Sequence, residues 1–577
     1  MPKHSRLLKE LRHDPVNGRS IFANPDILSS SQAASQSQSP HSTGATHQRR
    51  AVRSVPAGIL DQCTICMEEQ LFSQAFALLE SGLNAGFDTN APACIPPPQH
   101  LALASTLIVH PSMTTRTDDP DKRIAADHAA KYLREVVAMG GIEGTGLPEA
   151  LQFGQSNNAR TGRTKRAKTR RSDAVYESDE NEDTSRLRSH YSERQSLGEN
   201  AQDFWAVVGW AFNCSVRHKA RWLRWRIWLE LMLDVLQHDL ASHVSRGMAP
   251  AKNNALSKTL FAQYLSTVGA GRNNMRRLMR AVLADGSEKS TREFGEIWKN
   301  ETKPPKKKEE PRSAKRRKLD LDNDDYGDYL ENDSEEDAAE TRSARSRSAT
   351  ASRRRRSRTP ANPDTYTQDD DRDSAFEDAT EADAIEQFGG MEAIRLRQRF
   401  LTIFTAFSRA APTLFVDTEE LFSIFTEFIR PLPLQIFQQF TLPTTAYLSA
   451  DLQTSLNEMM SRPLLGTNAT QGLIDQREFE ASFATCTATN ASFVDNAKVS
   501  LLSESMLRAL WTSGHLISDL PRLKALVEEG IQMRSDRTAT DGRKKAGKKS
   551  YLDEEAKIVL DCSGQRMGLL LQVIVGR

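Results

Sequence analysis

Cysteine is scarce in this sequence, with six in 577 residues. A small fold stapled by disulfides needs a far higher density. That class is excluded, and a reducing, intracellular setting is the expectation. Long hydrophobic runs are missing as well. No stretch approaches the roughly 18 apolar residues of a membrane span, and the ten residues MPKHSRLLKE at the start hold no apolar core of signal-peptide length. Neither secretion nor membrane insertion is expected. An excess of one charge is also lacking: 77 Lys and Arg face 76 Asp and Glu, for a net charge of +1. A globally basic nucleic-acid binder and a globally acidic protein are both disfavoured. Hydrophobic residues make up 38%, a little under the usual globular share, so part of the chain is expected to be unfolded.

Catalytic signatures are absent too. The sequence has no P-loop, no His-Glu-x-x-His and no nucleophile elbow. The run Gly141-Ile142-Glu143-Gly144-Thr145-Gly146 follows a helical pattern and has the wrong order for a dinucleotide fingerprint. The pair Cys63-x-x-Cys66 resembles the opening of a RING finger. Only Cys94, His100 and His110 follow it, whereas each tetrahedral zinc site needs four ligands. Cys63 also falls on the apolar seam of a helical pattern, so buried thiols are expected rather than a metal site. Carboxylates lie mainly in charged blocks that cannot hold the geometry of acid–base chemistry. The expectation is a protein that is not an enzyme, with no catalytic residues, no cofactor and no metal.

What the sequence does have is charge in alternating blocks. Basic Lys306–Lys318 is followed by acidic Asp320–Asp337, then basic Arg342–Arg358, then acidic Asp364–Asp383. A shorter basic-then-acidic pair occupies 163–183, and a further basic segment runs from Arg534 to Lys549. Such blocks lack the apolar surface needed to offset chain entropy. They divide the chain into a mostly disordered tail with a short Leu7/Leu8/Leu11 turn (1–55), a first helical part (56–153), a charged insertion (154–198), a second helical part (199–300), a polyampholyte linker (301–383) and a C-terminal helical region (384–577).

Within the helical parts, apolar residues recur at three and four. Leu60, Cys63, Met67, Leu71, Ala75 and Leu78 form one such run, closed by Gly82. Ile124, His128, Tyr132 and Val136 form another, stopped at Gly140-Gly141. Trp222, Trp225, Leu229, Met232 and Leu236 make a narrow seam. Phe400, Ile403, Phe404 and Phe407 fit the pattern, as do Leu421, Ile424, Phe425 and Phe428. Asp417 with Glu420 reads as a capping box, and Pro431 ends that helix. Val499, Leu502, Met506 and Leu510 supply a later helix. Only Ala556–Leu560 and Leu569–Val575 read as possible strands. The pattern predicts an all-α fold: a helical bundle or an irregular, solenoid-like array of helical hairpins, in two regions.

The most unusual segment is Arg217-His-Lys-Ala-Arg-Trp-Leu-Arg-Trp-Arg-Ile-Trp228, with three of the seven Trp. On one helical wheel, Arg217, Arg221, Arg224 and Trp228 share a flank. Two readings follow. The helix is a Trp-rich core element whose Arg side chains lie on aromatic edges. Alternatively it is a nucleic-acid or partner-binding face, joined by Arg276 and Arg280 from the next basic helix. The runs Lys165, Arg166 and Lys168, Lys306, Lys307 and Lys308, and Lys315, Arg316, Arg317 and Lys318 suit nuclear import. Ser334 and Ser374 precede acidic residues and Thr359 precedes Pro360, as phosphorylation sites do. The sequence thus points to a nuclear interaction scaffold whose partners are nuclear proteins and an import receptor. A chromatin- or RNA-associated protein contacting DNA or RNA is the alternative.

Overall fold

The Trp-rich stretch becomes the pillar around which the fold is built. In the computed structural model it lies in a 28-residue helix, Lys219–Arg246. The structure describes residues 49–153, 187–246, 255–269, 271–304, 381–466, 475–516, 519–539 and 551–575, and the structural statements below concern these. The architecture is all-α. The only strands among the described residues are β1 (Val52–Ser54) and β2 (Ala93–Ile95), a parallel pair with Val52 opposite Ala93.

The N-terminal layer holds α1 (Ala57–Glu68), α2 (Phe72–Asn84), α3 (Pro98–Val109) and α4 (Pro120–Gly140). The expected single helix from Leu60 to Leu78 is a hairpin instead. Gln70 takes a left-handed φ of 60°, and the Leu71 N–H donates to the Cys66 carbonyl at 2.7 Å, closing α1 in a Schellman-type stop. Leu71 and Leu78 are consequently exposed, and Gly82 lies inside α2. α4 is also rotated from its expected face. Ile124 and His128 point to solvent, while Ala125, Ala126, Ala129 and Ala130 join Tyr132 and Val136 inside. These alanines let α4 approach α2 and α3 closely. Arg50 belongs to the folded body: its buried guanidinium donates to the carbonyls of Leu83, Ala85 and Ala91, at the end of α2 and just beyond.

Next come α5 (Phe204–Arg217), the pillar α6 (Lys219–Arg246), α7 (Leu260–Val268), α8 (Arg272–Val282) and α9 (Glu288–Glu293). α6 packs against α3, α4, α5 and α7, and also against α10 (Gly390–Ala410) from the far side of the linker. The two helical stretches of the sequence therefore share one core. Phe204, Trp205 and Phe212 meet Phe400, and Trp205 also meets Phe404, at ring separations of 5.6–6.4 Å. Arg397 fastens the joint. Its fully buried guanidinium donates to the carbonyls of Val282, Ala284 and Phe388, and lies 4.0 and 4.4 Å from the Phe388 and Phe212 rings. A cation at the C-terminal end of α8 is favourably placed, although burial lowers the Arg397 pKa to about 9.

Beyond α10 run α11 (Thr418–Ile429), α12 (Leu434–Thr441), α13 (Ala450–Leu465), α14 (Gln476–Ser482), α15 (Phe493–Thr512), α16 (Leu520–Ala539) and α17 (Tyr551–Val575). Asp417 caps α11 as the sequence predicts, accepting from the Glu420 N–H at 2.7 Å. α15 is a second pillar, touching α12, α13, α16 and α17. The two runs expected as strands, Ala556–Leu560 and Leu569–Val575, both lie in α17. The reason is periodicity: Ala556, Leu560, Ser563, Met567, Leu571 and Ile574 recur at three and four and are buried. Arg534, expected in an unfolded basic segment, sits inside α16 and is fully buried. It donates to the Ala484 and Cys486 carbonyls, one turn beyond Gly530, where a Cβ would lie 1.8 Å from the Ala484 oxygen.

Candidate interaction surface

The sequence draws Arg217, Arg221, Arg224 and Trp228 on one flank of one helix. The chain breaks at His218, so Arg217 ends α5 and the other three belong to α6. Trp228 is fully buried, and its indole N–H donates to the Ser105 hydroxyl at 2.9 Å. Arg221 is 2% exposed. Its Nε donates to Glu301 at 2.9 Å and its Nη2 to the same carboxylate and to the Val109 carbonyl, both at 2.5 Å; its Nη1 reaches Thr114 at 3.0 Å. The Trp225 indole joins on the same Glu301 oxygen at 2.9 Å, and the Ile297 and Trp298 N–H groups donate to the other. This carboxylate is buried but saturated with donors, which is what a charge removed from water requires.

The remaining cations of the proposed face are engaged one by one. Arg217 donates to the Gly286 carbonyl. Arg224 pairs with Asp127 on α4. Arg276 pairs with Glu427 on α11, and Arg280 with Glu293 on α9 through bonds of 2.7–3.0 Å. The arginines thus point to several different elements and act as ties between helices. Arg221 and Trp228 are buried, so neither side chain lies on the surface, and the Trp helix is built into the core.

The import-like residues Lys165, Arg166, Lys168, Lys306, Lys307, Lys308, Lys315, Arg316, Arg317 and Lys318 lie outside the described residues, as do Ser334, Thr359 and Ser374. Cys63 and Cys66 are buried on α1, and burial raises the Cys63 pKa to about 11. Among the described residues no group of three Cys, His, Asp or Glu is placed to hold a metal.

Two clefts open among these helices. One, of about 400 Å³, is apolar and runs between α7, α8 and Leu414–Val416. The other, of about 460 Å³, is polar and brings the Gly144–Gly146 loop to Asp239, Ser242 and His243 on α6. Ser, His and Asp within one turn invite comparison with a hydrolytic triad, but the bonding differs. Asp239 Oδ2 accepts from the Leu260 N–H at 2.7 Å, anchoring the start of α7. The Ser242 hydroxyl donates to the Asp239 carbonyl, and His243 Nδ1 lies 2.9 Å from that same oxygen. Ser242 and Asp239 thus both meet the imidazole on its Nδ1 side, whereas a triad divides them between the two ring nitrogens. Burial raises the Asp239 pKa, as befits a carboxyl used for helix docking.

The surface that sequence reasoning missed is the outer side of α17. Ile558 is 58% exposed, Leu569 61% and Val573 48%. Cys562, the one exposed cysteine of the six, lies among them. The inner side of the same helix is fixed to α15: Arg566 makes two 2.8 Å bonds to the buried Glu504 carboxylate, and the Ser563 hydroxyl adds a third at 2.9 Å. A helix apolar on both sides belongs in a core or under a partner. The signal was present in the sequence as near-continuous hydrophobicity, which also suits a buried strand. No protein-family model matches this chain, and no curated protein does. No described helix is long and apolar enough to cross a membrane.

Proposed function

We propose that this chain is a nuclear, non-enzymatic interaction scaffold. The observation that carries the reading is the outer side of α17, where large apolar side chains stand in water on a helix whose other side is fixed to the core. Exposed apolar stripes of this kind mark docking surfaces. Nuclear import would be carried by the runs at Lys165–Lys168 and Lys306–Lys318, and phosphorylation at Ser334, Thr359 and Ser374 would add negative charge beside them. Any contact with DNA or RNA would fall to those runs, since Arg221, Arg224 and Arg226 of α6 pair with carboxylates of the protein itself.

The test is location and contact in cells. A fluorescent fusion of the full chain is expected in the nucleus, and changing Lys315, Arg316, Arg317 and Lys318 together to Ala should shift it toward the cytoplasm. Cross-linking mass spectrometry on nuclei should then place intermolecular links on α17. A nuclear fusion with no intermolecular link on that helix would overturn the scaffold reading.

A further inference from the structure

We propose that the outer face of α17 is a self-association seam, on which a second copy of this chain packs antiparallel. This deepens the scaffold reading by naming the partner of its docking surface. The stripe consists of Ile558, Cys562, Leu569 and Val573, with Gln565 near its middle. At about 100° per residue these positions fall within an arc of roughly 80°. Its spacing reads the same in both directions: four residues, then seven, then four. Turning the helix end over end therefore superposes the stripe on itself. Ile558 then lies opposite Val573, and the small Cys562 lies opposite the larger Leu569. A two-fold interface needs this self-complementarity, because each contact must occur twice.

Charge decides the direction. The N-terminal half of α17 carries the exposed carboxylates Asp553, Glu554 and Asp561, against a single Lys557. The described C-terminal half carries only Arg566, which is held by Glu504. A parallel pair would bring the two acidic halves together, whereas an antiparallel pair sets each beside a stretch that holds no carboxylate. The helix dipoles oppose one another in that arrangement too. Size sets the strength. The stripe is roughly 24 Å long and one helix wide, well short of the roughly 800 Å² per partner of a standard interface. The association is therefore reversible and depends on concentration.

The test is sedimentation velocity of the full chain from about 1 to 100 µM. A monomer–dimer equilibrium is expected, with Leu569→Asp weakening it at least tenfold and Val573→Lys doing the same from the other end. Both positions face water, so melting curves should stay within a degree or two of the parent. Orientation is read in a Cys562→Ser background. The double variant Ile558→Cys/Val573→Cys should oxidise to a covalent dimer, and Ile558→Cys alone should not. A chain that is monomeric at every concentration overturns the proposal and leaves the stripe to a different protein. Cross-linking by Ile558→Cys alone overturns the antiparallel geometry. A failure of nuclear import would sink the scaffold's location without touching this result.

Discussion

His110 shows how far a single side chain is committed to the interior. Its ring packs edge-on to Tyr191 and Trp298 at 4.8 and 5.0 Å, and its Nδ1 lies 2.8 Å from the Ser112 hydroxyl. Burial lowers its pKa to about 3 and that of His100 to about 4, both from 6.5. Folded, both stay neutral; unfolded, both take a proton below pH 6.5. The stability they contribute is therefore complete above pH 6.5 and is lost as pH falls toward about 4 and about 3. Each should add a slope of about 1.4 kcal/mol per pH unit. Urea unfolding at pH 7.5, 6.0 and 5.0 should show it, and His110→Gln should remove one proton's share. An unchanged slope in that variant would refute the assignment. None of this was legible in the sequence, where the histidines show no spacing at all. The arginines misled for the same reason: a wheel gives Arg221 a direction, but Glu301, its partner, lies 80 residues away in sequence.

Among the helices, legibility followed the width of the apolar stripe. The seams of α6 and α10 and the Asp417 cap were readable, because burial on one side and polarity on the other leave a clear period. In α4 the expected face is displaced in the first half of the helix, where Ala125, Ala126, Ala129 and Ala130 are buried and the larger Ile124 is exposed. The two runs of α17 resemble strands in sequence because apolar residues occur on both of its sides. Glycine makes the packing of these last helices testable. At Gly530 the Ala484 carbonyl occupies the place of a Cβ, so Gly530→Ala should push α16 outward and cost about 1–3 kcal/mol. At Gly568 on α17 nothing lies within 4 Å, so Gly568→Ala should instead stabilise by about 0.5–1 kcal/mol through helix propensity. Thermal melts of the two variants moving in the same direction would contradict these packings.

At the scale of the molecule, the sequence suggested two helical regions and said nothing of their docking. The docking rests on residues far apart in the chain, such as Phe212 with Phe400 and Arg397 with the Val282 and Ala284 carbonyls. No local period reports such pairings. They carry a consequence for dissection. Two polypeptides covering 1–340 and 341–577 should assemble when made together, because each supplies half of one aromatic core. Made singly, each should aggregate or unfold. Co-purification from co-expression checks this, and two soluble, independent pieces would disprove it.

The described body is left at Pro304 and re-entered at Glu381, with α6 and α10 packed together whatever lies between. Closing a connection costs free energy that grows only with the logarithm of its length, so doubling it would cost about 0.6 kcal/mol. A chain shortened between 305 and 380 should therefore unfold in urea within about 1 kcal/mol of the parent. Along a lineage, that interval is where the charged blocks of the sequence can lengthen, shorten or change sign while the helical body stays the same.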